Sequence, residues 1–171
     1  RKPDPAAIAP RALEEIRRAV VRLAPPILSE LGLGAALARK CQAFAERTRI
    51  EVQLNVEPLP PLPGAVEVAC YRIVQEALTN VARHAEAGVV SVQLGLRGER
   101  LVLDLRDDGR GFDLGVARGG RGIEGMRERA ELLGGALEVQ TRPGEGTAYH
   151  VEIPLDVPAI VSDRSVEGHS E

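Results

Sequence analysis

Hydrophobic positions recur along this chain with two periods, one of three to four residues and one of two. The longer period predicts four helices, at residues 11–24, about 31–47, 66–84 and 122–133. The shorter period predicts five strands, at about 50–54, 89–97, 100–107, 136–141 and 147–153. The order α-α-β-α-β-β-α-β-β, with strands that alternate in character, predicts one sheet covered by helices on one face.

Prolines and glycines mark the segments between these elements. The three prolines in residues 1–10 predict a lead-in outside the folded elements, and the tract PLPPLPG at 58–64 predicts a loop. The glycine-rich segment 108–121 predicts a mobile loop, whereas Gly134 predicts a left-handed cap at the end of a helix. Residues 156–171 have no hydrophobic period, which predicts a flexible tail.

Composition excludes several classes of protein. The net charge of −3 and the four aromatic residues give neither a basic field nor a stacking platform, so no nucleic-acid partner is expected. No apolar run approaches the ~20 residues that a membrane span needs, and the N-terminus has no signal-peptide pattern. Cys41 and Cys70 lie far apart in helical patterns, which predicts buried thiols in a reducing compartment. Neither lysine follows a glycine-rich loop, which excludes a P-loop.

Three polar motifs could carry chemistry. Glu76, Asn80 and Arg83, followed by His84, share the polar side of the longest helix, where they could orient a hard cation and phosphate oxygens. For this motif alone, a solvated helix face is the simpler explanation. Asp107 ends a strand before two glycines and could accept a hydrogen bond from an exocyclic amine, although Asp-Gly is also common in turns. Residues 119–126 form a glycine-rich loop leading into a helix, which suits either a phosphate site or a linker.

The order and spacing of these motifs, with a Gly-Thr strand that ends at Pro154, resemble the ATP-binding catalytic domain of histidine kinases in the GHKL superfamily. The tract 73–85 resembles the N box, 107–113 the G1 box, 120–135 the G2 box and 144–154 the last box. Residues 11–37 resemble the second dimerisation helix and linker of nitrate/nitrite-sensor kinases. The resemblance implies an α/β two-layer sandwich of the Bergerat type, with a mixed, mostly antiparallel sheet.

The same resemblance divides the chain and implies residue roles. The expected divisions are a lead-in at 1–10, part of the dimerisation region and a linker helix at 11–48, an ATP-binding domain at 49–155 and a tail at 156–171. Asn80 is expected to ligate Mg²⁺, and Glu76 to act as base or to orient the attacking group through water. Asp107 is expected to hold the adenine amino group. The other residues expected at ATP are Arg83, His84, Gly109, Gly111, Gly120, Arg121, Gly122, Ile123 and Thr147, with residues 112–121 as the lid.

The implied function is transfer of the ATP γ-phosphoryl group to a histidine on a dimerisation helix, for relay to a response regulator. The parent protein is expected to be a homodimer, and this domain is expected to lie in the cytoplasm. Whether the parent protein is anchored in a membrane is left open. None of His84, His150 and His169 begins an amphipathic dimerisation helix, so the chain alone is expected not to autophosphorylate. The alternatives are an ATP-binding module without activity, an anti-sigma-type Ser/Thr kinase, and an ATPase clamp of the gyrase and MutL kind. The tract 11–37 favours the sensor kinase over the last two.

Overall fold

The structure is a computed structural model that describes residues 5–114 and 121–155. Its helices are α1 (Pro5–Arg22), α2 (Pro26–Thr48), α3 (Gly64–Asn80) and α4 (Arg121–Glu131), and a π-helical turn, Val81–Ala85, continues α3. Its strands are β1 (Glu51–Val56), β2 (Val89–Arg97), β3 (Arg100–Asp107), β4 (Ala136–Thr141) and β5 (Thr147–Pro154). The predicted order of elements is confirmed. The predicted tail, 156–171, lies outside the described residues.

The first helix starts earlier than its sequence suggests. Because α1 begins at Pro5, the prediction that residues 1–10 form an unfolded lead-in is wrong from Pro5 onward. Proline fits the first position of a helix, since its fixed φ is close to the helical value and no partner exists there for an N–H group. A proline-rich segment therefore does not by itself exclude a helix start.

Helix α2 contains a break that explains where its hydrophobic period begins. Gly32 has φ 74° and ψ 170°, so the regular helix resumes only after it, close to the predicted start at residue 31. The buried side of α2, which includes Leu37, Cys41 and Phe44, belongs to the same core as α3. The assignment of residues 11–48 to a dimerisation region stays a prediction. The buried side chains of α2, which forms the second half of this range, pack into the same core as the predicted ATP-binding domain.

The sheet has five strands in the order β1-β2-β3-β5-β4. Strands β1 and β2 are parallel, and the other three neighbouring pairs are antiparallel. In β5 every second residue is buried, from Thr147 to Ile153, and these side chains face the helices. The α/β two-layer sandwich with a mixed, mostly antiparallel sheet is thus confirmed, and the opposite face of the sheet is polar.

Helix α3 is the centre of the core. Ile73, Val74, Ala77 and Leu78 are almost fully buried, and burial stabilises each large side chain by about 1.5–3 kcal/mol relative to exposure. The opposite edge of α3 carries the polar residues of the first motif. Packing of the apolar side therefore fixes both the position of α3 over the sheet and the direction of its polar edge.

Both cysteines are free and buried, as predicted. Burial raises the pKa of the Cys70 thiol to about 12 and that of Cys41 to about 11, so both remain protonated and unreactive near neutral pH. Among the described residues, no helix is both long and apolar enough to cross a membrane.

Candidate functional site

A cavity of about 330 Å³ opens where the end of α3, the end of β3 and the start of α4 meet. Its volume falls in the range of ~300–1,000 Å³ that is typical of small-molecule sites. The described residues that line it are Asn80, His84, Ala85, Asp107, Arg110, Gly111, Phe112, Gly122, Ile123, Thr147 and Tyr149. Seven of them were singled out from the sequence, so the fold brings three separate motifs to one cavity.

Asp107 is the buried carboxylate of this cavity, with 2% of its surface exposed. Its Oδ1 atom accepts a hydrogen bond from the Gly109 N–H at 2.9 Å, and the Thr147 N–H also bonds to the carboxylate. Burial raises the pKa of Asp107 above its usual value, against the effect of these two donors. Within the described ranges no basic side chain forms an ion pair with it. The carboxylate has capacity for further donors, which suits it to a ligand amine.

The position of Asp107 is fixed by pairing between β3 and β5, where Asp107 lies opposite Thr147. Behind this pair, the Thr141 hydroxyl donates to the Gly146 carbonyl at 2.9 Å and lies 3.3 Å from the Thr147 hydroxyl. The same Thr141 oxygen accepts a hydrogen bond from the Phe112 N–H at 3.0 Å. Thr141 thus joins the strand end to the first residues of the predicted lid, a role that the sequence analysis missed.

The two glycines after Asp107 leave room for protein backbone. A side chain at Gly109 would collide with the carbonyl group of Ala85, and Gly109 does not line the cavity. Gly111 has φ +56°, and a side chain there would collide with the carbonyl of Arg142. Both glycines were expected to lie at the nucleotide. In the structure, they let the loop after β3 pack against the turn after α3 and the turn before β5.

Arg110, between these glycines, ties that loop to the π-helical turn. Its Nε atom donates to the His84 carbonyl at 2.7 Å, and its own N–H donates to the Ala85 carbonyl at 2.7 Å. Its guanidinium also forms an exposed ion pair with Glu86 at 3.2 Å. The carbonyl groups at the end of a helix have no hydrogen-bond donors within the helix, and here Arg110 provides the donors for two of them. This role of Arg110 was not predicted from the sequence.

We expect Arg110→Ala to lower the free energy of unfolding by about 1–2 kcal/mol, because the His84 carbonyl loses a charge-assisted hydrogen bond. Urea unfolding measures the change. Glu86→Gln is the matched control, since it removes only an ion pair that is exposed on both sides and should change stability by less than about 0.5 kcal/mol. Equal losses in both variants would show that the ion pair, and not the bond to the turn, stabilises this region.

Glu76 and Gly122 bring the first and third motifs into contact. A side chain at Gly122 would collide with the Glu76 carboxylate, so the start of α4 lies directly against α3. Glu76 itself, like Arg83 and Arg121, is not among the described residues that line the cavity, and Arg83 is exposed. Gly120 lies outside the described residues. The predicted roles of these four residues stay predictions.

Tyr149 is a second residue that the sequence analysis missed. It is buried on the inward side of β5, and its hydroxyl forms a hydrogen bond with the Asn80 side chain. Burial raises the pKa of Tyr149, and the negative charges of Asp107 and Glu76 add to the effect. Its phenol is therefore neutral near pH 7 and can hold the Asn80 amide in place. The alternation along β5 predicts that residue 149 faces inward, but not which side chain it meets.

The segment of the chain that forms this cavity also matches a known protein family in sequence. Residues 65–157 match the profile of the histidine kinase-, DNA gyrase B- and HSP90-like ATPase family. The chain belongs to this ATPase family. The match covers α3, the cavity and all strands except β1, so each element that lines the site lies within the family's domain.

The chain as a whole is also similar to part of several longer signalling proteins. It is 35% identical over 146 residues to the signal transduction histidine-protein kinase/phosphatase DegS of Brevibacillus brevis, covering 84% of this chain and 38% of that protein. It is 35% identical over 149 residues to the sensor histidine kinase LiaS of Bacillus subtilis, covering 86% and 41%. For the sensor histidine kinase NarS of Mycobacterium tuberculosis, the identity is 35% over 149 residues, covering 84% and 34%. The chain thus spans about two fifths or less of these relatives.

Solved structures give the same relationship. The blue-light activated histidine kinase of Erythrobacter litoralis EL346 superposes with a TM-score of 0.63 at 28% identity, covering 72% of this chain and 42% of that chain. The histidine kinase AdeS of Acinetobacter baumannii has a TM-score of 0.62 over 91% of this chain and 87% of that one. Its 12% identity supports the fold alone.

Proposed function

We propose that this chain is the ATP-binding catalytic domain of a two-component sensor histidine kinase. It would transfer the γ-phosphoryl group of ATP to a histidine on a dimerisation helix, for relay to a response regulator. The observation that carries the proposal is Asp107, a buried carboxylate in a nucleotide-sized cavity with two backbone donors and no basic partner within the described residues. Three relatives of similar identity, each called a histidine kinase, support the activity of the whole protein.

The residues present fit ATP and a magnesium ion. The cavity offers an amine acceptor in Asp107 at one point and the start of α4 at another, where the N–H groups of a helix start suit phosphate oxygens. Asn80 contributes an amide oxygen, a ligand that Mg²⁺ accepts. The described residues contain no group of three or more His, Cys, Asp or Glu side chains that could hold a metal. A cation at Asn80 would therefore need the nucleotide's phosphates as further ligands.

The proposed roles are those of binding and positioning, which supply most of the catalysis in phosphoryl transfer. Asp107 accepts a hydrogen bond from the adenine amino group, and Thr147 holds the strand end that carries it. Tyr149 keeps the Asn80 amide oriented. Glu76, beside Gly122, is placed near the start of α4, where it could act as a base toward the acceptor imidazole or orient the attacking group through water. Mg²⁺, when bound, would neutralise phosphate charge.

The parent protein is proposed to be a homodimer, because residues 11–37 resemble the dimerisation helix and linker of sensor kinases, in which the acceptor histidine lies on a dimerisation helix. A receiver domain would take the phosphoryl group from that histidine, and the ATPase domain would lie in the cytoplasm, where ATP is available. These partners follow from the proposed kinase activity.

We expect Asn80→Ala to weaken binding of Mg-ATP about tenfold while metal-free ADP binds about as well as to the wild type. The reason is that Asn80 is proposed to contact the cation and not the adenine. Titration with a fluorescent nucleotide, with and without Mg²⁺, measures both affinities. If Mg-ATP and metal-free ADP lose affinity equally, Asn80 holds the cavity together and does not bind the cation.

Radiolabelled ATP tests the kinase activity itself. The 171-residue chain alone should bind ATP and acquire no acid-labile, base-stable label, since His84 is part of the site itself and the sequence places none of the three histidines at the start of an amphipathic dimerisation helix. The parent protein with its dimerisation helix should acquire such a label, and Glu76→Gln in that protein should reduce the rate at least about tenfold. ATP binding without any label on the parent protein would select a nucleotide-binding module that has no kinase activity.

A further inference from the structure

A second cleft, of about 210 Å³, lies between α2 and α3. The residues that line it are Lys40, Ala43, Phe44, Arg47, Gln75, Leu78 and Thr79. None of them lines the nucleotide cavity. One wall is made by α2 and the other by α3, and Gln75 and Thr79 flank Glu76 in sequence. The cleft and the nucleotide cavity therefore lie on different sides of α3.

Two cations line this cleft and a third lies beside it, and among the described residues no carboxylate forms an ion pair with any of them. Lys40 and Arg47 lie on α2, and Arg72 lies beside the cleft on α3, where it donates to the Gln75 side chain at 2.8 Å. Within residues 5–114 and 121–155, none of the three forms an ion pair with a carboxylate. Six other arginines of the same ranges do form such pairs. In a chain whose net charge is −3, this is a local excess of positive charge.

The three cations repel one another. Burial lowers the pKa of Lys40 below its usual value, and the positive charges of Arg47 and Arg72 lower it further. The Lys40 ammonium group lies 5.9 Å from the centre of the Tyr71 ring, which offers a weak cation–π contact. An anion placed between these groups would relieve the repulsion and gain up to three favourable contacts.

The shape of the cleft indicates what kind of anion fits. Lys40 and Arg47 are seven residues apart on α2, about 10 Å along the helix. Arg72 and Thr79 are separated by the same interval on α3. The positive charge is thus spread along two helical turns, whereas one phosphate group offers its oxygens within about 3 Å of one centre. An elongated ligand with two separated negative charges matches this spread better.

We propose that the cleft between α2 and α3 is a docking surface for an acidic segment of a partner protein. The segment would place carboxylates about two helical turns apart against Lys40 and Arg47, with Arg72 beside the cleft adding to the positive charge. Surface complementarity of this kind guides association and fixes the orientation of a partner. The docked segment would lie along α3, whose opposite edge holds the nucleotide. The proposal does not depend on the kinase activity, since it concerns binding by the folded ATPase domain.

A fluorescein-labelled helical peptide of about 14 residues, with glutamates at positions seven apart in an alanine-rich sequence, is a suitable probe. Fluorescence polarisation should show binding at low ionic strength that weakens as salt is added. A peptide with glutamines in place of the glutamates should not bind. The double variant Lys40→Gln, Arg47→Gln should bind the acidic peptide about tenfold more weakly than the wild type, because two of the three cations are gone.

Arg97→Gln with Arg100→Gln is the matched control, because it removes the same charge from the β2–β3 hairpin. This control should bind the peptide within about twofold of the wild type. Both double variants should retain the nucleotide affinity and the melting temperature, which separates loss of docking from loss of the fold or of the ATP site. Equal weakening in both variants would show a non-specific charge effect and overturn the proposal. Displacement of the peptide by millimolar inorganic phosphate, or tighter binding of single-stranded DNA of equal charge, would also overturn it.

Discussion

Asp107→Asn is expected to weaken ATP binding by about 10- to 100-fold without unfolding the domain. The variant keeps one oxygen for the Gly109 N–H but places an NH₂ group where the second carboxylate oxygen stood, so two donors face each other across the cavity. An unpaired buried polar group costs about 1–3 kcal/mol. Titration with a fluorescent ATP analogue measures the loss. Wild-type affinity in a folded variant would show that Asp107 does not bind the nucleotide.

The free energy of unfolding of Asp107→Asn should not fall along with its ATP affinity. Burial raises the pKa of Asp107, so the folded state of the wild type holds the proton more tightly than the unfolded state. The wild type therefore loses stability as the pH rises from the ordinary aspartate pKa through the raised one, and it does not regain it at neutral pH. Asp107→Asn lacks this titration, and at pH 7 its free energy of unfolding without ligand should equal or exceed that of the wild type.

Asp108→Asn is the control for this pair of results. The exposed Asp108 carboxylate accepts hydrogen bonds from the N–H groups of Gly88 and Val89 at 2.8 and 2.9 Å, and these bonds lower its pKa. The Asp108 variant should keep its nucleotide affinity. Its stability should fall slightly, because a charged acceptor becomes a neutral one. The two neighbouring aspartates should thus separate nucleotide binding from stability.

Gly111→Ala is expected to lower the free energy of unfolding by about 3 kcal/mol or more and to reduce ATP binding with it. The alanine would need φ near +56°, and its Cβ atom would also collide with the backbone carbonyl of Arg142. A strained φ costs about 1–3 kcal/mol, and overpacking against backbone adds to it. Urea unfolding and nucleotide titration measure the two effects.

Gly144→Ala separates strain from collision. Gly144 has φ +83°, in the same region of backbone conformations, but nothing lies within 4 Å of the position where a Cβ atom would stand. Gly144→Ala should therefore lower the free energy of unfolding only by the cost of the backbone strain, about 1 kcal/mol. If both alanine variants lose the same stability, the close approach between the loop after β3 and the Arg142 carbonyl does not contribute.

The elements of the fold could be predicted because each leaves a local pattern. Strands β2 and β3 have the predicted bounds, since their alternating residues are separated by Gly98, the φ +60° turn of a hairpin. The start of α1 could not be predicted in this way. Helix-breaking residues such as Pro5 are permitted in the first turn, and the pattern of neighbouring residues does not distinguish the two cases.

The site was predicted in part, because motif spacing and family resemblance give the residue types but not their neighbours. Asn80, Asp107 and Thr147 were expected at one site, and all three line the cavity. Arg110 and Tyr149 were missed. Arg110 acts through carbonyl groups of the turn after α3, and backbone partners leave no trace in side-chain patterns. Tyr149 meets Asn80 only because β5 lies beneath the end of α3.

The sequence by itself determined the order of helices and strands, the covered face of the sheet and the motifs that belong to an ATPase. These features depend on periods of two and three to four residues and on short spacings, which are properties of neighbouring positions. Only the tertiary structure decided which residues line the cavity, why Gly109 and Gly111 must be glycines, and that Arg72 lies beside the cleft lined by Lys40 and Arg47. Such contacts join residues that are far apart in the chain, and they exist only after α2, α3 and the strands have packed into one core.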